Sequence, residues 1–266
     1  MEVDCKGIQQ RNLEALVRNK GFQFTDVFFP YTSGQIGPYY VQSIVIEKNG
    51  FDYKNAIDDM CEIIDNFLAP SSFDIISGGE SRDWDFSNPA AYNLSKAHSK
   101  IYKDGKILGA DIFDQARVVH VADLNNEGSS PRDLWVPAIK KAGGIINDIF
   151  FYVDRMEDGA DVMKQLGLDS HAVVPLDQHA WDYLKEINVV TPEIYRSLSE
   201  RGCTKESRHQ WAIKMLKSDL GFIKFLELYN DPKTLPKAQK ILDKGYPELK
   251  EEFQAVLNIE IKKQKL

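Results

Sequence analysis

Apolar positions recur at two periods along the first two thirds of the chain. Leu13, Leu16 and Val17 fall at helical spacing within residues 9–19, and Ala56, Met60, Ile63, Ile64 and Phe67 line one face of residues 52–68. Between them, residues 39–47 (YYVQSIVIE) carry the β-branched and aromatic side chains of a strand. Short apolar runs follow at 73–77 (FDIIS), 117–122 (RVVHVA) and 145–153 (IINDIFFYV), and 171–176 (HAVVPL) suits a last edge strand. Helical patterns at 89–98 and 133–142 separate them, and Asp104-Gly105 within 100–110 (KIYKDGKILGA) predicts the tight turn of a hairpin. Strands alternating with helices of about ten residues predict an α/β fold with a largely parallel sheet flanked by helices on both faces.

From about Thr191 the pattern changes. Four successive segments read as helices, with Pro192 and Pro247 near starts and Gly202 and Gly245 near ends. No strand pattern or internal repeat is visible there, and the basic run 262–266 (KKQKL) reads as a solvated helix end.

Composition narrows the function classes. A formal net charge of −7 argues against a nucleic-acid binder. Cys5, Cys61 and Cys203 are odd in number and widely spaced, which suits a reducing cytoplasm better than a disulfide framework or a zinc site. The first ten residues lack a signal-peptide core and no apolar run approaches ~18 residues, so neither secretion nor membrane spanning is expected.

Residues 118–133 (VVHVADLNNEGSSPRD) carry the candidate chemistry. In an open parallel sheet, ligands sit beyond the carboxyl ends of strands. Asp123, just past an apolar run, suits hydroxyl groups or a magnesium-bound water. Ser130 reads as a helix N-cap, Pro131 as the first helical residue and Asp133 as a capping-box acid. The amides of the loop between them can converge on an anion such as phosphate. The competing reading is a capped strand-to-helix connection with an Asx-turn.

Five stretches, in order, resemble the orotate phosphoribosyltransferase family of type I phosphoribosyltransferases. Residues 118–130 resemble its phosphoribosyl-pyrophosphate motif, and 32–42 (TSGQIGPYYVQ) its base-side segment. Residues 77–87 (SGGESRDWDFS) resemble its pyrophosphate loop, 102–109 (YKDGKILG) its mobile catalytic loop, and 153–159 (VDRMEDG) the strand end whose arginine grips the orotate carboxylate. The resemblance implies a phosphoribosyltransferase-like α/β domain over residues 1–190 and a helical C-terminal extension over 191–266. It implies a dimeric, magnesium-dependent transferase of pyrimidine nucleotide synthesis that joins phosphoribosyl pyrophosphate to orotate or a related carboxylated base.

The roles carry over position by position. Asp123 would hold the ribose hydroxyls, and Asn125, Asn126, Glu127, Gly128, Ser129 and Ser130 would cradle the 5′-phosphate. Ser77, Gly78, Gly79, Glu80 and Ser81 would face pyrophosphate. Lys103 and Lys106 would close over it, from the same subunit or a neighbour. Arg155 would pair with a substrate carboxylate through its planar fork, and Thr32, Tyr39 and Tyr40 belong to the base-side segment. Magnesium would arrive on the substrate rather than on protein ligands, with Asp123 reaching it through water.

The chain departs from the family pattern at several positions. Ala122 stands for the first acid of the motif, Asn125-Asn126 for residues that are commonly threonine, and Glu127 puts an acid beside the phosphate. Thr32, Gln35 and Tyr102 replace basic residues, and Asp83, Trp84 and Asp85 fill the Gly-Ile-Pro part of the pyrophosphate loop. These losses open a second function class, a non-catalytic nucleotide-binding or regulatory protein on the same fold. Blander structural roles stand beside the functional ones. Arg155 suits a surface ion pair with Glu157 or Asp158, and Glu80 can pair with Arg82. Asp83 and Asp85 can cap the next helix, Lys103 and Lys106 can be merely solvated, and His120, Trp135 and Trp84 fit packing.

Overall fold

The computed structural model describes residues 3–255. In chain order it contains helix α1 (Cys5–Arg18), strands β1 (Phe22–Pro30) and β2 (Ile36–Val41), a 3-10 turn (Ser43–Lys48) and helix α2 (Gly50–Phe67). Strand β3 (Ile75–Gly79), helix α3 (Asp83–Asn93), and strands β4 (Ala97–Ile101), β5 (Ile107–Gly109) and β6 (Arg117–Asn125) follow. A π-helical turn (Pro131–Trp135) runs into α4 (Val136–Lys141), then come β7 (Ile145–Asp154), α5 (Asp158–Leu166), β8 (Asp169–Pro175) and α6 (Gln178–Glu186). Helices α7 (Pro192–Arg201), α8 (Lys205–Lys217), α9 (Asp219–Asn230) and α10 (Leu235–Lys240) complete the principal elements.

The chain forms two compact units, one of residues 1–21 and 42–189 and one of residues 22–41 and 190–266. The first holds a six-stranded sheet in the order β5-β4-β3-β6-β7-β8. All neighbours pair in parallel except β5, which runs antiparallel to β4. Central strands sealed on both faces are apolar throughout, which is why Phe150, Phe151, Tyr152 and Val153 of β7 are all buried. Trp135, Ile139, Val162 and Met163 from α4, α5 and the π turn pack with Ile149 and Phe151 on one face. On the other, Phe86 of α3 stacks on Tyr152 at 4.8 Å between ring centroids, and the Tyr152 hydroxyl donates to Asn12 of α1 at 3.2 Å.

The alternation of strand and helix patterns predicts this architecture, and β8 is the edge strand expected near 171–176. The differences have local causes. Helix α3 starts at Asp83, not Pro89, and Pro89 lies inside it. Proline cannot donate to the carbonyl four residues back. That carbonyl, of Asp85, accepts the Tyr53 hydroxyl instead. The expected strand at 39–47 ends at Val41 and gives way to the 3-10 turn, which buries Ser43, Val45 and Ile46. Strand β6 continues to Asn125 because β7 extends beside it, with Leu124 opposite Val153 and Asn125 opposite Asp154.

The second unit gathers α7–α10 with the β1–β2 hairpin, whose pairing is antiparallel with an irregularity between Phe24 and Phe29. Phe28 and Ile36 of the hairpin share a core with Trp211, Phe225 and Tyr246. The Tyr246 hydroxyl accepts from Ile36 N–H at 3.3 Å and donates to Gln35 Oε1 at 2.8 Å. A linear division at 190/191 therefore leaves out residues 22–41, whose apolar partners lie far along the sequence. Thr191, Thr204 and Ser218 cap α7, α8 and α9. The basic run at 262–266 lies outside the described residues.

Candidate functional site

In the first unit, Asp123 lies near the carboxyl end of β6, and two neighbours fix it. Ser43 Oγ donates to Asp123 Oδ2 at 2.7 Å, and the Asp123 N–H donates to Asp83 Oδ1 at 3.0 Å. Asn125 is buried, with its Nδ2 donating to Asp154 Oδ2 at 3.0 Å, so it anchors the loop from within rather than lining it. The amides of Glu127, Gly128 and Ser129 donate to no acceptor among the described residues, whereas the Asn126 and Gly128 carbonyls accept from Gly159 and Arg132. Gly128 has φ +67°, and a Cβ there would meet Val162 at 2.7 Å, so the turn requires glycine. Asn126 Oδ1 is buried and has no hydrogen-bond partner among the described residues. Ser130 is helical and makes no cap, and Asp133 instead pairs with Arg132 at 2.7 Å. The capping-box expectation fails because Ser130 already has helical backbone angles, φ −63° and ψ −47°, whereas an N-cap residue stands outside the helix.

The β3 end is largely self-satisfied. Ser77, expected to face pyrophosphate, is fully buried and hydrogen-bonds His120 Nδ1 at 2.9 Å. Gly78 accepts the Trp84 indole N–H at 3.0 Å through its carbonyl. Gly79 donates its amide to Asp83 Oδ2 at 3.1 Å, and a Cβ on Gly79 would lie 2.2 Å from Trp135 Nε1. The Glu80–Ser81 peptide is cis. Glu80 accepts the Lys103 N–H at 2.9 Å rather than pairing with Arg82. Of the five residues expected to face pyrophosphate, Ser81 is the exposed one.

Lys103 and Lys106 sit on the β4–β5 turn. It is closed by Tyr102 N–H to Lys106 O and Gly105 N–H to Tyr102 O, each 2.8 Å, and by Lys106 N–H to Asp104 Oδ1 at 2.9 Å. Trp84 meets Tyr102 edge-on at 5.0 Å, and Lys100 Nζ lies 5.3 Å from the Trp84 ring. The lysines thus ride on a tight hairpin braced against the β3 loop.

At the β7 end, Arg155 is buried, and its Nη2 lies 2.9 Å from Glu157 Oε1 on an equally buried carboxylate. The ion-pair reading holds, but the pair is internal rather than on the surface. In the second unit, Tyr39 is fully buried, with Arg201 over its ring at 5.8 Å and its carbonyl accepting the Tyr31 hydroxyl at 2.5 Å. Tyr40 is exposed, and the Thr32 carbonyl accepts from Lys240.

Ser43, Asp83 and His120 form the part of the site that motif matching misses. Burial and the nearby Asp123 carboxylate push the Asp83 carboxyl well above its ordinary range. His120, stacked on Trp135 at 4.2 Å, is held neutral by burial, with its pKa lowered to about 3. Its Nε2 lies 4.0 Å from Asp83 Oδ2. Burial also raises Glu47 and Asp85, which are hydrogen-bonded to each other. Only the steric demand of Gly78-Gly79 hints at this arrangement in the sequence.

No family model matches the chain. It is 30% identical over 159 residues to orotate phosphoribosyltransferase of Staphylothermus marinus, covering 58% of this chain and 75% of that protein. It is also 30% identical over 138 residues to adenine phosphoribosyltransferase of Acetivibrio thermocellus, covering 44% and 78%. Among solved structures, UMP synthase of Leishmania donovani superposes with TM-score 0.64 at 20% identity, over 73% of this chain and 42% of that one. Orotate phosphoribosyltransferase of Francisella tularensis superposes with TM-score 0.60 at 17% identity, over 71% and 96%. The chain belongs to the orotate phosphoribosyltransferase family, as a divergent member with the type I phosphoribosyltransferase fold.

Proposed function

We propose that the protein transfers the phosphoribosyl group of phosphoribosyl pyrophosphate to a ring nitrogen of a heterocyclic base. The carrying observation is the β6 end, where Asp123 is held by Ser43 and Asp83 and is followed by the amides of Glu127, Gly128 and Ser129, which no acceptor claims among the described residues. A carboxylate at that place suits vicinal ribose hydroxyls, and amides in a left-handed glycine turn suit a phosphate. The new bond joins the ring nitrogen to C1 as the C1–O bond breaks. Its electron pair departs with pyrophosphate, and the ring N–H proton passes to water. Lys103 and Lys106 supply positive charge toward the leaving group.

Magnesium fits the hard oxygen donors here through the substrate. Asp123 would reach the ion through water. When bound, the ion would neutralise charge on the departing pyrophosphate. Orotate is the acceptor named for one relative and adenine for another. A homodimer, tested by light scattering, belongs to the same proposal.

Calorimetric titration with phosphoribosyl pyrophosphate, with and without magnesium, tests the reading. Magnesium-dependent binding abolished by Asp123→Asn supports it, and absence of binding refutes it. A binding protein without turnover is favoured by one observation, the Gly79 amide taken by Asp83. Donor binding with no pyrophosphate release from any base would establish that second reading.

A further inference from the structure

We infer that Glu80, Trp84 and Tyr102 form a clasp that positions the hairpin carrying Lys103 and Lys106 for the leaving pyrophosphate. The inference rests on the transferase reading, which sets those lysines toward the leaving group, and it holds whichever subunit supplies them.

The clasp follows from the sheet. β3 and β4 run in parallel with Gly79 opposite Ile101, so the loop after β3 and the turn after β4 leave the sheet side by side. Glu80 bridges them along the backbone. Its N–H donates to the Ile101 carbonyl at 2.8 Å, and its Oε2 accepts the Lys103 N–H at 2.9 Å. Trp84 bridges them through its ring. The indole N–H is fixed on the Gly78 carbonyl at 3.0 Å, and the ring meets Tyr102 edge-on at 5.0 Å with 62° between the planes. Lys100 Nζ lies 5.3 Å from the same ring. Residues two apart along an extended strand share a face, which is how Lys100 and Tyr102 both come to the indole.

Tyr102 is also the foot of the turn. It donates its N–H to the Lys106 carbonyl and accepts from the Gly105 N–H, each at 2.8 Å, so whatever holds Tyr102 holds Lys103 and Lys106. Both lysines are exposed, and among the described residues no carboxylate claims either ammonium. Their place is set by the backbone beneath them. A long side chain on a fixed base loses less freedom on meeting an anion than one on a wandering loop. Glu80, Trp84 and Tyr102 are only partly buried, so their contacts brace a rim rather than fill the core. Trp84 and Tyr102 are both positions at which the chain departs from the family pattern, and the fold brings them together. The two departures act as one: a cation at 102 is lost, and a mount for the cations at 103 and 106 is gained.

The test is calorimetry with two probes, magnesium pyrophosphate and ribose 5-phosphate, on wild type, Tyr102→Ala and Tyr102→Phe. The first probe reads the lysine hairpin; the second reads Asp123 and the amides of residues 127–129. Tyr102→Ala should weaken pyrophosphate binding about three- to ten-fold, in keeping with loss of an aromatic pair, and leave ribose 5-phosphate binding unchanged. Tyr102→Phe keeps the ring and should restore the pyrophosphate affinity. Trypsin cleavage after Lys103 or Lys106 should quicken in the alanine variant and return to the wild-type rate in the phenylalanine one. Equal weakening of both probes would mean that Tyr102 only supports the fold, and it overturns the clasp. Unchanged pyrophosphate affinity, or failure of phenylalanine to rescue, overturns it as well. Wild type that binds ribose 5-phosphate but not pyrophosphate does the same, whereas wild type that binds neither sinks the transferase reading itself. If Tyr102→Ala does not fold by circular dichroism, Trp84→Leu, which removes the other ring, must give the same split between the probes.

Discussion

The side chain of Asp83 accepts the backbone N–H of Asp123 at 3.0 Å, and its other oxygen accepts from Gly79 N–H at 3.1 Å. One carboxyl at the start of α3 thereby ties the ends of β3 and β6 together. Asp83→Ala removes the acceptor of two amides, each worth about 1–3 kcal/mol when left unsatisfied. We expect a loss of about 2 kcal/mol or more, measured by urea unfolding. Because the folded value of Asp83 is raised, its contribution is fully present below the unfolded value and is lost as pH rises through the folded one. The stability of wild type relative to Asp83→Asn should therefore be greater at pH 5 than at pH 8.

Restoring the motif's first acid should not restore the motif. Ala122 has no exposed surface and packs in the cluster that contains Trp135, Ile149 and Phe151. A carboxylate there would be enclosed by these apolar side chains and must be buried charged or protonated. Ala122→Asp should lower stability by about 3 kcal/mol or reduce soluble yield, without tightening magnesium-dependent donor binding. A stable variant with improved donor affinity would show that position 122 can still reach the ligand.

His120 gives the protein an acid-sensitive centre. Burial lowers its pKa to about 3 and that of His98 to about 4. Both stay neutral when folded and take up protons when unfolded, so their stability contributions are present above about pH 6.5 and are lost as pH falls toward the folded values. His120→Phe keeps a ring against Trp135 but removes that titration and the 2.9 Å Ser77–His120 hydrogen bond, leaving the Ser77 hydroxyl only the longer contact to the Val119 carbonyl at 3.5 Å. Between pH 6 and 4 the variant's stability should fall less steeply than wild type, by about 1.4 kcal/mol per pH unit. At pH 7 it should be less stable by about 1–3 kcal/mol. Parallel urea midpoints across that pH range would contradict the assignment.

The fold was legible where period and burial coincide. β3, β6 and β7 are apolar runs because helices seal both their faces. The hairpin of residues 22–41 was not legible as part of the helical unit, because the partners of Phe28 and Ile36 lie near positions 211, 225 and 246. At the site, Asp123 stands out because an acid ends an apolar run, and Gly128 because its left-handed turn requires glycine. Asp83 does not, since a helix-capping acid and a strand-bridging acid look alike until β6 is placed beside β3. Arg155 shows the same limit, because Glu157 follows so closely that the sequence offers both a ligand and its competitor.

The last prediction concerns Ser43, whose hydroxyl reaches Asp123 Oδ2 at 2.7 Å. Ser43 is buried in the 3-10 turn, whereas Asp123 is only partly buried, so water can replace the lost donor. Ser43→Ala should therefore change global stability little, by less than about 1 kcal/mol. It should loosen the orientation of the carboxylate proposed to hold ribose. A hydrogen bond to a charged group contributes about 1.5–3 kcal/mol, and partial replacement by water reduces this to a donor-affinity loss of about ten-fold. Ser43→Thr retains a hydroxyl and should recover most of the affinity. Calorimetry on the three proteins, with melting curves beside it, separates positioning from packing. If alanine weakens donor binding and threonine rescues it at constant melting temperature, Ser43 positions Asp123. If both variants bind as wild type does, the hydroxyl serves only the turn.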